Sequence, residues 1–281
     1  MENDEHDGRA AWLGLAGSVC VVTGGGSGIG AATALELARC GALVAVLDRD
    51  GRAADAVADA IACAGGRAMS VQADVTSEDA IAAAAQRIQH ELGSSRILVN
   101  SAALVGYAGP LMHADLAQWN RMLDVNLTGA LLCIRAFGAQ MISAGAGGSI
   151  VNVASICGHL PLPESGAYSV GKAGLLMLSR MLALELARHG IRCNSVSPGL
   201  VRTPATEAAY IDDTVAAGRS RLVPSGRIAE PTELASVIAF LGSERAAYIN
   251  GQDILVDGGL SQALMSLVPK PATSTDAFTR K

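Results

Sequence analysis

Val19-Cys20-Val21-Val22-Thr23-Gly24-Gly25-Gly26-Ser27-Gly28-Ile29-Gly30 decides how the rest of the chain is read. An apolar run of strand length ends in a turn with glycines at 24, 28 and 30, and a helical pattern opens at Ile29. Glycines at such a turn let the backbone reverse tightly and let a pyrophosphate approach main-chain N–H groups, while the helix N-terminus supplies partial positive charge. Strand, glycine turn and helix in this order predict a dinucleotide site.

Outward from this turn, short apolar or β-branched runs recur at 43–47, 68–71, 97–99, 149–153, 191–196 and 254–256. Longer, Ala-rich helical stretches separate them at 28–39, 52–64, 77–92, 117–144, 166–189 and 231–242. This alternation predicts an α/β fold, a single-domain Rossmann-type doubly wound parallel sheet of about seven strands with helices on both faces. Gly129 and Gly138 predict a bend or close packing within 117–144. The domain is expected over 17–263, between an acidic, flexible extension at 1–16 and a flexible tail at 264–281. Ligands of such sheets sit at the carboxyl ends of the strands, so the long insertion at 200–226 is placed as a substrate lid.

Half of the 281 residues are hydrophobic but only 3% are aromatic, which predicts a core of Ala, Val, Leu and Ile. A net charge of -5 argues against nucleic acid or an anionic membrane surface as partners, because both require clustered Lys and Arg. No stretch reads as a membrane span, and the apolar run 10–22 follows acidic residues and leads into the glycine turn, so a cytoplasmic location is expected. Six cysteines are scattered without a Cys-x-x-Cys pair or a His at ligand spacing, which predicts buried or semi-buried thiols and no metal. These properties point to an enzyme acting on a small molecule.

Asp48 ends the second strand, 20 residues after Gly28, where a carboxylate accepts hydrogen bonds from an adenosine ribose and repels a 2'-phosphate. With no basic residue in the glycine turn, this predicts NAD over NADP, although Arg49 is able to turn toward a phosphate. Asp74-Val75 follows the third strand, with capping of the helix near Ser77 as the plain alternative for Asp74. Tyr168 and Lys172 are four apart and share one helix face. A phenol of pKa about 10 is a poor base at neutral pH. An ammonium about 4 Å away, at an effective dielectric of about 20, favours the phenolate by about 4 kcal/mol, or roughly three pK units. Ser155, just past 149–153, is placed to exchange hydrogen bonds with a substrate oxygen passing between alcohol and carbonyl.

Thr-Gly-x-x-x-Gly-x-Gly at 23–30, Asn126, Ser155, Tyr168 with Lys172, and Pro198-Gly199 with Thr203 occur in the order found in the short-chain dehydrogenase/reductase family, which the chain resembles from about Ser18 to Leu260. The resemblance implies that Gly24, Ser27, Gly28, Ile29 and Gly30 cradle the dinucleotide and that Asp74 and Val75 border its adenine. It implies that Asn100 and Ala102 line the cofactor, and that Pro198, Gly199, Val201 and Thr203 lie at the nicotinamide, with Thr203 on the carboxamide. Ser101 and Ala103 replace the family's second Asn and Gly, so the local backbone or substrate room differs. Asn126 is implied to anchor a water relay to Lys172, and Lys172 to hold the nicotinamide ribose. With Asn126, Ser155, Tyr168 and Lys172 as the catalytic set, Tyr168 takes a proton from a secondary alcohol as hydride passes to NAD. Val105, Tyr107, Cys157 and His159 are placed around the reacting carbon of a sugar, polyol or cyclic alcohol. The alternatives are an NADPH-dependent 3-oxoacyl-carrier-protein reductase and a dinucleotide-binding sensor without turnover. Apolar and small residues on helices 117–144 and 166–189, together with the family's habit, imply a homotetramer.

Overall fold

β1 (Val19–Thr23) is buried at all five positions, as the middle of a sheet covered on both faces requires. In the computed structural model, which describes residues 12–106 and 108–268, it is joined by β2 (Leu43–Asp48), β3 (Arg67–Gln72), β4 (Ile97–Asn100), β5 (Gly148–Val153), β6 (Ile191–Pro198) and β7 (Asp253–Val256). All seven are parallel, in the order β3-β2-β1-β4-β5-β6-β7. The order reverses between β1 and β4, and a cleft for a ligand opens at such a switch point, beyond the strands' carboxyl ends.

The helices are α1 (Gly28–Arg39), α2 (Gly51–Cys63), α3 (Glu78–Glu91), α4 (Leu116–Leu123), α5 (Gly129–Ala144), α6 (Tyr168–Leu186), α7 (Asp213–Leu222) and α8 (Pro231–Gly242). One sheet face packs Val22, Val44 and Val151 against Leu37 of α1, Ile61 of α2 and Ile238 of α8. The other packs Val21, Leu98 and Ile150 against Ile88 of α3, Phe137 and Met141 of α5 and Leu182 of α6. Alternate strand residues thus serve opposite faces, as the pleat dictates. The bend expected in 117–144 is a π-helical turn, Asp124–Thr128, between α4 and α5. Gly129 follows it because a Cβ there would lie 2.8 Å from Val75 Cγ2.

Three expectations need correction. The segment taken as part of a flexible extension is packed from Trp12 onward: Leu15 is in the core, and Arg245 donates to the Trp12 carbonyl at 2.7 Å while its guanidinium covers the Trp12 ring. At the other end, Leu260–Leu267 is a 3-10 helix, so the expected tail begins inside a regular element. The run Leu116–Ala144 does have the length and mean hydropathy of a membrane span. It lies on the sheet, with Cys133, Phe137 and Met141 fully buried beneath it.

A chain of buried side chains crosses the sheet. Asn100 Nδ2 of β4 donates to Asn152 Oδ1 of β5 at 2.8 Å, and Asn152 Nδ2 donates to Ser179 Oγ of α6 at 2.8 Å. Ser195 Oγ of β6 donates to the same Ser179 oxygen, also at 2.8 Å. A buried network loses more than one bond when a member is removed, because its partners stay desolvated. Asn152→Ala is therefore expected to cost about 3 kcal/mol and to lower the melting temperature by roughly 5–10 °C in a thermal denaturation scan.

Candidate active site

The cleft encloses about 910 Å³. Its deep wall is the glycine turn, where close approach leaves no room for side chains. Gly24 has φ +63° and a Cβ there would meet Ala102 Cα at 2.7 Å; a Cβ on Gly30 would meet the Gly24 carbonyl oxygen at 2.1 Å. α1 thus begins hard against the strand end and presents its N-terminal amides to the cleft. Ser27, Gly28 and Ile29 line the same wall, and Thr203 faces Gly28 from across it, 3.4 Å from where a Cβ would be.

At the far end Asp48 is held by two main-chain donors: Gly26 N–H reaches Oδ2 and Asp50 N–H reaches Oδ1, both at 3.0 Å. Each oxygen keeps a lone pair for a further donor, which suits a vicinal diol. Arg49, Asp74 and Val75 line this end too. Asp74 does not cap α3; Ser77 does, accepting from Ala80 N–H. Asp74 instead accepts from the main chain and hydroxyl of Thr76, and these bonds hold its carboxyl below the usual range, with further help from Arg49 and Arg121.

At the near end, α6 brings Tyr168 and Lys172 to the cleft wall, and Val153 at the end of β5 and Ala154 just after it line the cleft with them. Ser155 lies just behind, 7% exposed; its hydroxyl accepts from Cys157 N–H at 3.1 Å and sits close enough to Tyr168 to draw its phenol down. Lys172 is 2% exposed and Nζ donates to Val153 O at 2.7 Å. That is its one hydrogen bond among the described residues, whereas an ammonium has three donors. Two donors beside a cleft whose glycines exclude side chains, with a diol acceptor at the other end, fit a dinucleotide's ribose, pyrophosphate and second ribose in turn.

The expected lowering of the Tyr168 phenol is not what burial produces. Enclosure pushes Tyr168 up to about 12, opposed by the Ser155 hydrogen bond, and desolvation brings Lys172 down to about 8. The ammonium lies 5.8 Å from the ring centroid and donates to Val153 O, and burial governs the phenol.

Of the remaining expected residues, Asn100 and Gly30 sit behind the lining, while Ala102, Val105, Pro198, Gly199 and Val201 form part of it. Asn126 is buried in the π turn with both ends of its amide on Leu104: Nδ2 donates to the carbonyl at 2.9 Å and Oδ1 accepts from the N–H at 2.7 Å. Its side chain thus anchors the loop after β4, and a relay to Lys172 would have to use its main chain. Cys157 lies off the lining but near enough to act electrostatically on Tyr168 and Lys172. Tyr107 lies outside the described residues. His159 does not reach the cleft lining: its Nε2 pairs with Asp253 Oδ2 at 2.7 Å, and Asp253 Oδ1 accepts from Ser197 Oγ at 2.9 Å. Cys63 is exposed, against the expectation for the thiols. Ala117, Gln118, Asn120, Arg121 and Asp124 line the cleft unforeseen. The spacing 117, 121, 124 was the available signal, and only the turn of α4 toward the cleft gives it meaning.

A family model described as enoyl-(acyl carrier protein) reductase matches residues 24–261. The chain is 44% identical over 241 residues to the cis-4-hydroxycyclohexanecarboxylate dehydrogenase of Sinomonas cyclohexanicum, covering 86% of this chain and 95% of that protein. A short-chain type dehydrogenase/reductase from Mycobacterium marinum superposes with a TM-score of 0.83 at 36% identity, covering 88% and 96% of the two chains. A gluconate 5-dehydrogenase from Burkholderia cenocepacia, in complex with NADP and tartrate, gives 0.84 at 31%, covering 89% and 97%.

The buried lysine makes stability depend on pH. Lys172 loses its proton near pH 8 when folded and near its ordinary 10.5 when unfolded, so between these values the unfolded chain holds the extra proton and stability rises with pH. Tyr168 acts oppositely above about pH 10, because the folded phenol keeps its proton up to about 12. Lys172→Met is expected to stabilise the ligand-free chain at pH 7 by on the order of 3 kcal/mol and to flatten the rise between pH 8 and 10.5. Urea titrations across that range check it; an unchanged slope would rule out Lys172 as its source.

Proposed function

The chain belongs to the short-chain dehydrogenase/reductase family and is an oxidoreductase acting on CH–OH groups, and from that premise we propose that it oxidises a sugar, polyol or cyclic secondary alcohol to the ketone with NAD. The observation that carries the site assignment is the buried, incompletely satisfied Lys172, which shares one end of a glycine-walled cleft with Tyr168. When bound, the oxidised dinucleotide supplies a hydride acceptor and positive charge. Ser155 holds the substrate oxygen and Tyr168 accepts its proton. Lys172 spends its free donors on a ribose and lowers the cost of the phenolate. Asn126 keeps the β4 loop, and with it Ala102 and Leu104, against the cleft.

The preference for NAD rests on Asp48. Its carboxylate is fixed by two main-chain N–H groups at one end of the cleft, a placement that suits a ribose diol and disfavours a 2'-phosphate, although Arg49 lines the same cleft. The reverse reaction, reduction of an acyl-carrier ketone with NADPH, is the alternative reading. It predicts the opposite cofactor ratio.

For assembly we propose a homotetramer paired through α5 and α6. Met177, Met181 and Leu184 form one stripe of α6, and Leu184 is 82% exposed in the single chain. Leu184→Glu is expected to yield smaller species in analytical ultracentrifugation, and a wild-type chain sedimenting as a monomer defeats the proposal.

Catalysis is tested by absorbance at 340 nm with NAD and NADP over a panel of secondary alcohols. Tyr168→Phe should lower kcat by roughly 10²–10⁴-fold with little change in dinucleotide affinity. Asp48→Ser should shift the NAD/NADP ratio of kcat/KM by about tenfold toward NADP. Full activity in Tyr168→Phe would remove it from the proton-transfer role.

A further inference from the structure

Ser155 opens a 3-10 turn, Ile156–Gly158, that closes at His159. Within the turn, Cys157 N–H donates to Ser155 Oγ at 3.1 Å, Gly158 N–H to Ser155 O at 2.9 Å and His159 N–H to Ile156 O at 2.9 Å. Internal bonds of this kind fix the shape of a turn and not its place on the sheet. Toward α6 the turn packs closely, since a Cβ on Gly158 would lie 3.0 Å from the main-chain carbonyl carbon of Lys172 and 3.0 Å from Leu176 Cδ1.

The far end of the turn is tied to the edge of the sheet. His159 Nε2 donates to Asp253 Oδ2 of β7 at 2.7 Å, across 94 residues of sequence. The other oxygen of that carboxylate accepts from Ser197 Oγ of β6 at 2.9 Å, and Ser197 is fully buried. The Asp253 side chain is 7% exposed and that of His159 30%, so the carboxylate is sheltered while the ring keeps one side in solvent. A sheltered carboxylate that loses one of its donors stays desolvated and underpaired, so the bond from His159 holds more firmly than a surface ion pair.

We infer that His159 is a positioning residue for the reaction: through Asp253 it holds the Ser155 turn in place on the sheet, and so sets where the Ser155 hydroxyl stands relative to Tyr168. The inference rests on the dehydrogenase reading, in which Ser155 holds the substrate oxygen. His159 itself lies outside the cleft lining and acts only through the turn. A misplacement of about 1 Å at a reacting group costs about 100-fold in rate. With Gly158 still packed on Lys172, loss of the tether costs part of that, about tenfold in kcat. The dinucleotide half of the cleft is built on the glycine turn and Asp48, away from this turn, so dinucleotide affinity is unaffected.

The test uses the full chain and the variants His159→Leu, His159→Gln and Asp253→Ala. In hydrogen–deuterium exchange, the amides of 155–160 should exchange several-fold faster in His159→Leu and Asp253→Ala than in the wild type, with those of α6 unchanged. With cyclohexanol, D-threitol and gluconate and either NAD or NADP, each of these two variants should lose about tenfold in kcat at unchanged KM for the dinucleotide. Combining them should still cost about tenfold and not about 100-fold, because both remove the same bond. His159→Gln, whose amide keeps a donor for Asp253, should recover most of the loss. Unchanged exchange at 155–160, additive losses, or full kcat in a variant of lowered melting temperature overturns this inference and leaves the dehydrogenase reading standing. Absence of turnover by the wild-type chain with every alcohol and both dinucleotides overturns that reading, and the catalytic role of His159 with it.

Discussion

The hydrogen bond from Asn152 Nδ2 to Ser179 Oγ sets the geometry on which the cleft depends. Asn152 is three residues before Ser155 on β5, and Ser179 is seven residues, about two helical turns, beyond Lys172 on α6. Hydrophobic contacts between a helix and a sheet tolerate small slips, since one methyl group replaces another at little cost. A buried amide–hydroxyl bond does not, because any slip leaves both groups desolvated and unpaired. This one contact therefore registers the helix that carries Tyr168 and Lys172 against the strand that leads to Ser155. Asn100 and Ser195 extend the same constraint to the neighbouring strands.

With the register set, burial rather than charge–charge attraction governs the titrating groups. Two residues four apart on a helix invite a Coulomb argument at contact distance, and that argument lowers the phenol. In the folded chain the ammonium turns toward Val153 O, and both groups lie in packed surroundings that disfavour their charged forms. Lys172 remains largely protonated at neutral pH, held by a single carbonyl with two donors unused. A ligand with hydroxyls at that point relieves a cost already present in the ligand-free fold, so part of its binding free energy comes from the strain it removes rather than from new contacts alone.

What was legible in the sequence is what local constraints specify. All seven strands fall within two residues of their expected ends, because each is a short apolar run closed by a turn. The glycine turn is legible because a Cβ at Gly24 or Gly30 collides with main chain, which leaves one residue type possible. α7 was less so: Asp213–Leu222 mixes Arg219 and Arg221 with Ala and Gly and shows no clear apolar stripe, and its start is set by the Asp212 cap. Long-range pairings were not legible at all. His159 looks the same in sequence whether it faces a substrate or, 94 residues away, Asp253, and the Asn126 amide gives no sign that Leu104 will satisfy both its ends. Leu15 reads as part of a weakly patterned lead-in until Ala42 and Val44 are brought beneath it.

The two halves of the cleft differ in how strongly the fold determines them. The dinucleotide half is built from backbone: a turn that admits only glycine, a carboxylate held by two amides, and a helix start pressed onto a strand end. Little in it can vary without collision, so it reads as a family signature. The substrate half is built from side chains on the loops after β4, β5 and β6, where Val105, Pro204 and Ala205 make no contact on which the sheet's register depends. Those positions are free to change the ligand without changing the fold, and the chemistry proposed for Ser155, Tyr168 and Lys172 would then act on whatever alcohol the loops admit. Reaction type is thus a property of the scaffold's rigid part, whereas substrate identity follows from the side chains that the loops after β4, β5 and β6 bring to the cleft.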